Sequence, residues 1–326
     1  MQRRQFFGAC AGAALGVPDL LHPAGSAGSI SRLASSSLSF PASNSASAGP
    51  PFHLSVMLWT VYPTLPFAER LEKVAEAGYH SVELVGEFKA WGKPEFAAAR
   101  QKMRELNLTV DGTAGVWHSI ADPAGRDPFL QAIRNFLPTM KELETDKLIL
   151  QTGNKVPGLT QEQMHANAVE ILKRAGDLAA QNNIELLIEN IDPEENPKYF
   201  LTSSAEGFEI IRSVANPHVN FLYDFFHEQI AEGNLIAKLE KNMDLLGLVH
   251  VADVPGRHEP GTGEINYETI FRKLGQLNYQ RYVAMEFKPA GDTVAALRAA
   301  RELAATAGAA GKELSSQLTR STHATA

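Results

Sequence analysis

Short apolar runs alternate with amphipathic segments along the chain from about residue 50 onward. The amphipathic segments carry apolar residues at helical spacing, as in residues 67–77, 161–181, 207–214 and 267–274. Eight of the short runs have the length and composition of strands. They cover residues 54–58, 81–85, 108–112, 147–151, 184–189, 219–224, 246–252 and 282–287. The alternation predicts eight parallel strands, each connected to the next through a helix.

Eight strands alternating with eight helices favour a single α/β domain, the (β/α)8 or TIM barrel, which typically takes about 250 residues. The competing architecture is an open doubly wound sheet. That fold in its dinucleotide-binding form places a Gly-x-Gly-x-x-Gly turn after the first strand, and no such turn follows residues 54–58. We therefore assign residues 51–310 to the barrel and residues 311–326 to a polar C-terminal tail.

The first fifty residues have the pattern of an export segment rather than of the barrel. The chain opens MQRRQFFG, with Arg3 and Arg4 followed by a small-residue run to Val17. This pattern is typical of a twin-arginine signal, and it is too short and too weakly apolar for a membrane span, which needs about 20 apolar residues. A Ser/Ala-rich spacer follows, and Ala46–Ala48 offers a cleavage site. We predict a periplasmic or otherwise exported protein, the alternative being a disordered basic N-terminus on a cytoplasmic one.

The amino-acid composition of the chain argues against several classes of binding partner. The 326 residues include 30 Lys and Arg against 37 Asp and Glu, a formal charge of -7, which argues against binding a phosphate backbone. The single cysteine, Cys10, lies inside the predicted signal, so we expect neither disulfides nor thiol chemistry after cleavage. No later segment is long enough to span a membrane. We expect a small-molecule substrate and no nucleic acid, and we leave a homo-oligomer open.

Four consecutive strands of the predicted barrel each carry a metal-binding residue type at or near the C-terminal end. These residues are Glu189, Asp224, His250 and Glu286. A single glutamate at a strand end is more often a helix cap or a surface ion pair, but all four ends meet at one mouth of a TIM barrel. Three carboxylates and an imidazole suit Mg²⁺, Mn²⁺ or Zn²⁺. The joint pattern therefore predicts a centre for one divalent metal ion.

The same region carries a family resemblance. The loop ADVPGRHEPGTGEINY at 252–267, with YDFFHEQIAEGNL before it and EFKP after it, resembles the hydroxypyruvate isomerases. These belong to the wider xylose isomerase-like barrels, and the similarity spans roughly residues 54–289. The resemblance implies a (β/α)8 barrel with one divalent ion and two glutamates that act as acid and base. Glu189 and Glu286 match these glutamates, and Asp224 and His250 match the other two ligand positions.

The resemblance also implies two substrate contacts, matched by His227 and Arg257. Two departures concern the substrate. Bacterial hydroxypyruvate isomerases carry Gln at the third ligand position, where this chain has His250 as sugar epimerases do, and the third strand region, VDGTAGVWHS, lacks the expected His-containing segment.

The chemistry can also be argued from the side chains. Moving a hydrogen between the carbons of an α-hydroxy carbonyl requires removal of a weakly acidic C–H proton, and a Lewis acid stabilises the enediolate that results. Glu189 and Glu286, on strands five and eight, could flank such a substrate and transfer its proton. Arg257 offers a fork suited to a substrate carboxylate, or a salt bridge with Glu259 or Glu264 within its own loop.

Three classes of function remain. The first is a metal-dependent isomerase of a small hydroxy-oxo acid, with hydroxypyruvate and tartronate semialdehyde as the leading pair, or an exported epimerase or isomerase of a related ketose. The second is an abasic-site endonuclease on the same barrel, suggested by the spacing of Asp224 and His227. That class requires a further Asp-x-His after strand seven, where this chain has Asp253-Val254-Pro255. The third is a non-catalytic sugar-binding barrel, which would tolerate loss of either glutamate.

Overall fold

Eight parallel strands close into a barrel in which each strand pairs with its neighbours in chain order and the last returns to the first. The computed structural model describes residues 49–324. The strands are β1 (His53–Met57), β2 (Ser81–Leu84), β3 (Thr109–Val116), β4 (Lys147–Gln151), β5 (Glu185–Glu189), β6 (Val219–Asp224), β7 (Leu246–Val251) and β8 (Tyr282–Met285). The predicted TIM barrel is confirmed, and each predicted strand overlaps an observed one. Residues 1–48 of the predicted signal and spacer, including Arg3, Arg4 and Ala46–Ala48, lie outside the described residues.

Helices connect successive strands, and a last helix follows β8. They are α1 (Phe67–Glu76), α2 (Lys93–Glu105), α3 (Arg126–Leu143), α4 (Gln161–Asn182), α5 (Ser204–Val214), α6 (Phe225–Ala231), α7 (Leu235–Asn242), α8 (Tyr267–Gln276) and α9 (Thr293–Ala324). The described residues thus contain nine α-helices rather than the predicted eight, because α6 and α7 share the connection from β6 to β7. The final helix continues across residue 311, where we placed the start of the tail.

The period of the strands explains how the four strand-end residues reach one place. Side chains two residues apart on a strand point to the same face. Leu187, Leu222 and Leu248 lie two residues before Glu189, Asp224 and His250, and these leucines pack in one buried cluster with Ala114 and Ile149. Because the leucines fill one layer of the barrel interior, the residues two positions later form the next layer toward the mouth. The barrel therefore presents its polar residues on top of an apolar floor.

None of the helices in the described part of the chain combines the length and the apolar character that a membrane crossing requires.

A candidate metal centre at the mouth of the barrel

The four predicted ligands come together. One ligand atom from each of Glu189, Asp224, His250 and Glu286 lies within 4.8 Å of the corresponding atoms of the other three, and all four residues are buried. His250 Nδ1 is 2.7 Å from Glu286 Oε2 and 3.8 Å from Glu189 Oε1. Glu189 and Asp224 are the last residues of β5 and β6, and Glu286 directly follows β8. This group could hold a metal ion.

The state of Asp224 fits a cation in this position. Its Oδ1 accepts a 2.7 Å hydrogen bond from the backbone N–H of Phe226 and so caps the N-terminus of α6. Its Oδ2 is buried and has no hydrogen-bond partner among residues 49–324. A buried carboxylate oxygen without a hydrogen bond is costly. The nearest cationic atoms, on His227 and Arg257, lie 3.5 and 3.7 Å from it, and a bound cation would satisfy it. The donor set of carboxylates with one imidazole is one that Mg²⁺, Mn²⁺ and Zn²⁺ accept.

The two glutamates experience opposite electrostatic environments. Burial raises the pKa of Glu189 to about 8. Burial acts in the same direction on Glu286, but Arg257 and His250 outweigh it and hold the pKa of Glu286 well below its usual value. Arg257 Nη2 lies 2.7 Å from Glu286 Oε1. A carboxyl group that favours its protonated form thus lies beside one that stays ionised, the arrangement that acid–base pairs use.

We expect metal binding to release protons at neutral pH. The raised pKa of Glu189 exceeds the ordinary value of 4.5. The proton on Glu189 therefore stabilises the folded, metal-free protein fully below about pH 4.5, and this stabilisation is lost as the pH rises through about 8. A cation must displace this proton, so metal affinity should increase toward pH 8. Calorimetry of Mn²⁺ binding at pH 7 in two buffers of different ionisation enthalpy measures the number of protons released. Glu189→Gln should reduce that number. A binding heat that is independent of the buffer would contradict this prediction.

Arg257 lies above the ligands rather than in an ion pair within its own loop. Its Nη1 contacts Glu195 Oε2 at 3.0 Å, and its Nη2 lies 3.7 Å from Asp224 Oδ2 in addition to its contact with Glu286. The guanidinium carbon is 4.9 Å from the ring centre of Phe226 and 5.9 Å from that of Trp59. The guanidinium is thus held between aromatic rings and carboxylates beside the metal ligands.

The two loop glutamates considered as alternative partners of Arg257 bond elsewhere. Glu259 accepts a 2.9 Å hydrogen bond from the backbone N–H of Ala290. Glu264 accepts a 3.0 Å hydrogen bond from the side-chain amide of Gln229. The position of Arg257 therefore depends on the shape of the loop rather than on these two residues.

The shape of the loop at 252–267 is fixed by Asp253. Its Oδ1 accepts hydrogen bonds from the backbone N–H groups of Val254 and Ile265, and its Oδ2 accepts from those of Gly261 and Gly263, all at 2.9–3.0 Å. A Cβ atom at Gly263 would lie 2.0 Å from the carbonyl oxygen of Val254, so only glycine fits there. The density of polar and glycine residues in this motif thus serves to fold a loop around one buried carboxylate.

Replacing Asp253 by Asn should destabilise this loop strongly. In the variant, an –NH₂ group faces two backbone N–H groups whose hydrogen bonds a carboxylate oxygen accepts in the wild type. Hydrogen bonds to a charged group contribute about 1.5–3 kcal/mol each, so the free energy of unfolding should fall by about 3 kcal/mol. Denaturant titration measures the loss, with exposed Asp244→Asn as the matched control. A change for Asp253→Asn no larger than that of the control would contradict the prediction.

His227 lies next to the ligands as the sequence predicts. Its Nδ1 is 2.7 Å from Asp192 Oδ2 and its Nε2 is 3.5 Å from Asp224 Oδ2. Burial lowers the pKa of His227, but Asp224 and Asp192 outweigh it and raise the pKa to about 9. Asp192, Glu195 and His227 form a second group close enough to hold a cation, although Glu195 is exposed.

Two of the residues around the ligands were not predicted from the sequence. Asp192 follows Glu189 by three residues and also accepts hydrogen bonds from the backbone N–H groups of Glu194 and Glu195, which folds the turn after β5. Glu83, on β2, lies with its Oε2 3.1 Å from His250 Nε2. A sequence signal existed for Glu83, because parallel barrel strands are buried on both faces and an isolated carboxylate there needs a partner.

Comparison with known proteins agrees with the barrel fold. The family model described as xylose isomerase-like TIM barrel matches residues 71–306. The 2-oxo-tetronate isomerase of Pectobacterium atrosepticum is 30% identical over 241 residues, which are 72% of this chain and 90% of that protein. The hydroxypyruvate isomerase of Escherichia coli is 30% identical over 248 residues, 75% of this chain and 96% of that protein. These matches confirm the family resemblance that the sequence predicts.

Among solved structures, one described as AP endonuclease, family 2, from Brucella melitensis superposes with a TM-score of 0.68 at 27% identity. The match covers 76% of this chain and 96% of that chain.

Proposed function

The chain belongs to the xylose isomerase-like TIM barrel family, and we propose that it is a metal-dependent isomerase that interconverts an α-hydroxy aldehyde and a ketone through an enediolate. The substrate pair that we propose is hydroxypyruvate and tartronate semialdehyde. The observation that carries the proposal is the buried convergence of Glu189, Asp224, His250 and Glu286 within 4.8 Å, with the two glutamates in opposite electrostatic environments.

Each side chain of the site has a separate role in the proposed reaction. A divalent ion held by the four ligands would supply Lewis acidity at the substrate's carbonyl and hydroxyl oxygens. Glu286, which Arg257 and His250 keep ionised, accepts the C–H proton. Glu189, whose resting proton a bound cation would displace, lies in a buried position that favours uptake of a proton. It takes the proton of the substrate's hydroxyl group and returns it to the neighbouring carbon, while Glu286 passes its proton to the former carbonyl oxygen. The two residues exchange roles in the reverse reaction. His227, held by Asp192, orients the substrate's hydroxyl group.

An anionic substrate fits the charges at the mouth. The side chains of Arg257 and Lys288 both lie over Trp59, at 5.9 and 5.7 Å from its ring centre. Two cations around one aromatic wall favour a ligand that carries a carboxylate. The names of the two relatives agree with this inference, since hydroxypyruvate and 2-oxo-tetronate are both hydroxy-oxo acids. The alternative substrate, a free ketose, is favoured by His250 at the third ligand position and by the predicted export signal, and the third strand region also departs from the hydroxypyruvate isomerase pattern.

A substrate screen of the metal-loaded protein tests this assignment. Hydroxypyruvate, tartronate semialdehyde, 2-oxo-tetronate and free ketoses are supplied separately, and products are followed by NMR. We expect turnover of the acids and little of the ketoses. Ketose turnover without acid turnover would overturn the substrate class. Binding of a sugar without turnover of any compound would indicate a non-catalytic barrel instead.

Export of the folded protein is the second part of the proposal. The twin-arginine route carries proteins that fold before they cross the membrane, and the barrel from residue 51 onward contains no cysteine that would need oxidative folding. Replacing Arg3 and Arg4 together by Lys should therefore leave an unprocessed, folded and active protein in the cytoplasm. Cell fractionation with mass analysis of the N-terminus measures this, and Arg32→Lys is the matched control. A wild-type protein that stays in the cytoplasm and keeps Met1 would refute export.

A further inference from the structure

Glu83 is a buried carboxylate that the mechanism above does not use. It lies on β2, and no ligand of the candidate metal centre comes from that strand. Its Oε2 is 3.1 Å from Nε2 of His250. Its Oε1 is buried and has no hydrogen-bond partner in the part of the chain that the structure describes. A carboxylate in this position costs desolvation energy that a single hydrogen bond repays poorly.

The two nitrogens of His250 face in opposite directions. Nδ1 points into the ligand cluster, 2.7 Å from Glu286 Oε2, while Nε2 points to Glu83. A neutral imidazole carries one proton, and only the nitrogen without it can bind a metal ion. The proton must therefore lie on Nε2 for Nδ1 to act as the ligand.

We propose that Glu83 is a positioning residue that accepts the Nε2 proton of His250 and so holds Nδ1 toward the metal ion. The hydrogen bond fixes the tautomer and the rotation of the ring together. Partners of this kind behind a ligating histidine raise its basicity and typically contribute about 10–100-fold to metal affinity or activity. This inference rests on the metal centre of the proposed function and not on the identity of the substrate.

The neighbouring strand supplies a matched control. Asp111, on β3, is also a fully buried carboxylate, and one of its oxygens is likewise without a partner among the described residues. Its other oxygen accepts a 2.8 Å hydrogen bond from Ser55 and not from His250. Asp111→Asn therefore replaces a buried carboxyl group in the barrel interior without removing a hydrogen bond to the metal ligands.

The first test measures Mn²⁺ dissociation constants of the metal-stripped full chain by calorimetry. Glu83→Ala should bind Mn²⁺ about 10–100-fold more weakly than the wild type. Glu83→Gln should recover most of the affinity, because the amide oxygen can still accept the Nε2 proton. Asp111→Asn should bind close to the wild type. Equal affinities for Glu83→Ala and Asp111→Asn would overturn the inference, whereas a wild type that binds no Mn²⁺ would overturn the metal centre itself.

The second test needs no change at Glu83 and stands if Glu83→Ala fails to fold. Long-range ¹H–¹⁵N spectra of the histidine rings in the Zn²⁺-loaded wild type report which nitrogen of His250 is protonated. Loss of the signals in His250→Gln assigns them. We expect the proton on Nε2 and the metal ion on Nδ1. A proton on Nδ1 with the metal ion on Nε2 would overturn the inference.

Discussion

Replacing Glu286 by Gln should lower kcat by about 10²-fold or more, because the amide keeps an oxygen that can face a metal ion but cannot accept a proton. Glu189→Gln should have an effect of similar size, since the amide cannot serve as the acid. Both variants should retain bound metal, so that the loss lies in proton transfer. Steady-state kinetics together with metal analysis of the same samples measures the two quantities separately.

Glu264→Gln is the matched control for these two variants. Glu264 is an exposed loop residue whose side chain contacts Gln229 and lies outside the ligand group, so its loss should leave kcat unchanged. Near-normal turnover in both Glu189→Gln and Glu286→Gln would rule out the assignment of acid and base. A large effect in only one variant would show that a single carboxyl group both removes and returns the proton.

Replacing Asp224 by Asn should remove metal and activity together. The amide oxygen can keep the hydrogen bond to the N–H of Phe226 that caps α6, while the –NH₂ group takes the place of Oδ2, which accepts no hydrogen bond from the described residues. The fold is therefore preserved and one ligand is lost. Asp224→Ala removes the cap as well and should lower stability by about a further 1 kcal/mol.

Metal content per chain and thermal unfolding separate the two effects of these variants. Asp244→Asn, at an exposed aspartate of the described residues, is the control and should keep full metal content. Asp224→Asn with full metal content and full activity would remove Asp224 from the ligand set.

The sequence was sufficient to predict the barrel and the convergence of the four candidate ligands, because both depend on the spacing of residues along strands and helices. Strand and helix periods define the order of elements, and the rule that strand ends meet at one mouth places Glu189, Asp224 and Glu286 together. The same rule places His250, near the end of β7, beside these three residues. The split of the β6–β7 connection into α6 and α7 was not predicted, because these helices have only seven and eight residues, about two turns each.

Contacts between residues on distant strands were harder to predict from the sequence. Glu83 and His250 are separated by 167 positions, and only closure of the barrel brings their side chains into contact. The alternative partners of Arg257 could not be separated from the sequence either, because the direction of its side chain depends on how Asp253 folds the loop. The four backbone hydrogen bonds that Asp253 accepts within this loop were not predicted from the sequence.

The most direct test of metal-dependent isomerisation is the rate of interconversion of hydroxypyruvate and tartronate semialdehyde before and after removal of metal from the wild-type protein. We expect the chelator-treated protein to be inactive, and Mn²⁺ or Mg²⁺ to restore turnover at about one ion per chain. Full activity in the metal-free protein, or no interconversion after metal has been restored to a folded protein, would contradict the proposal.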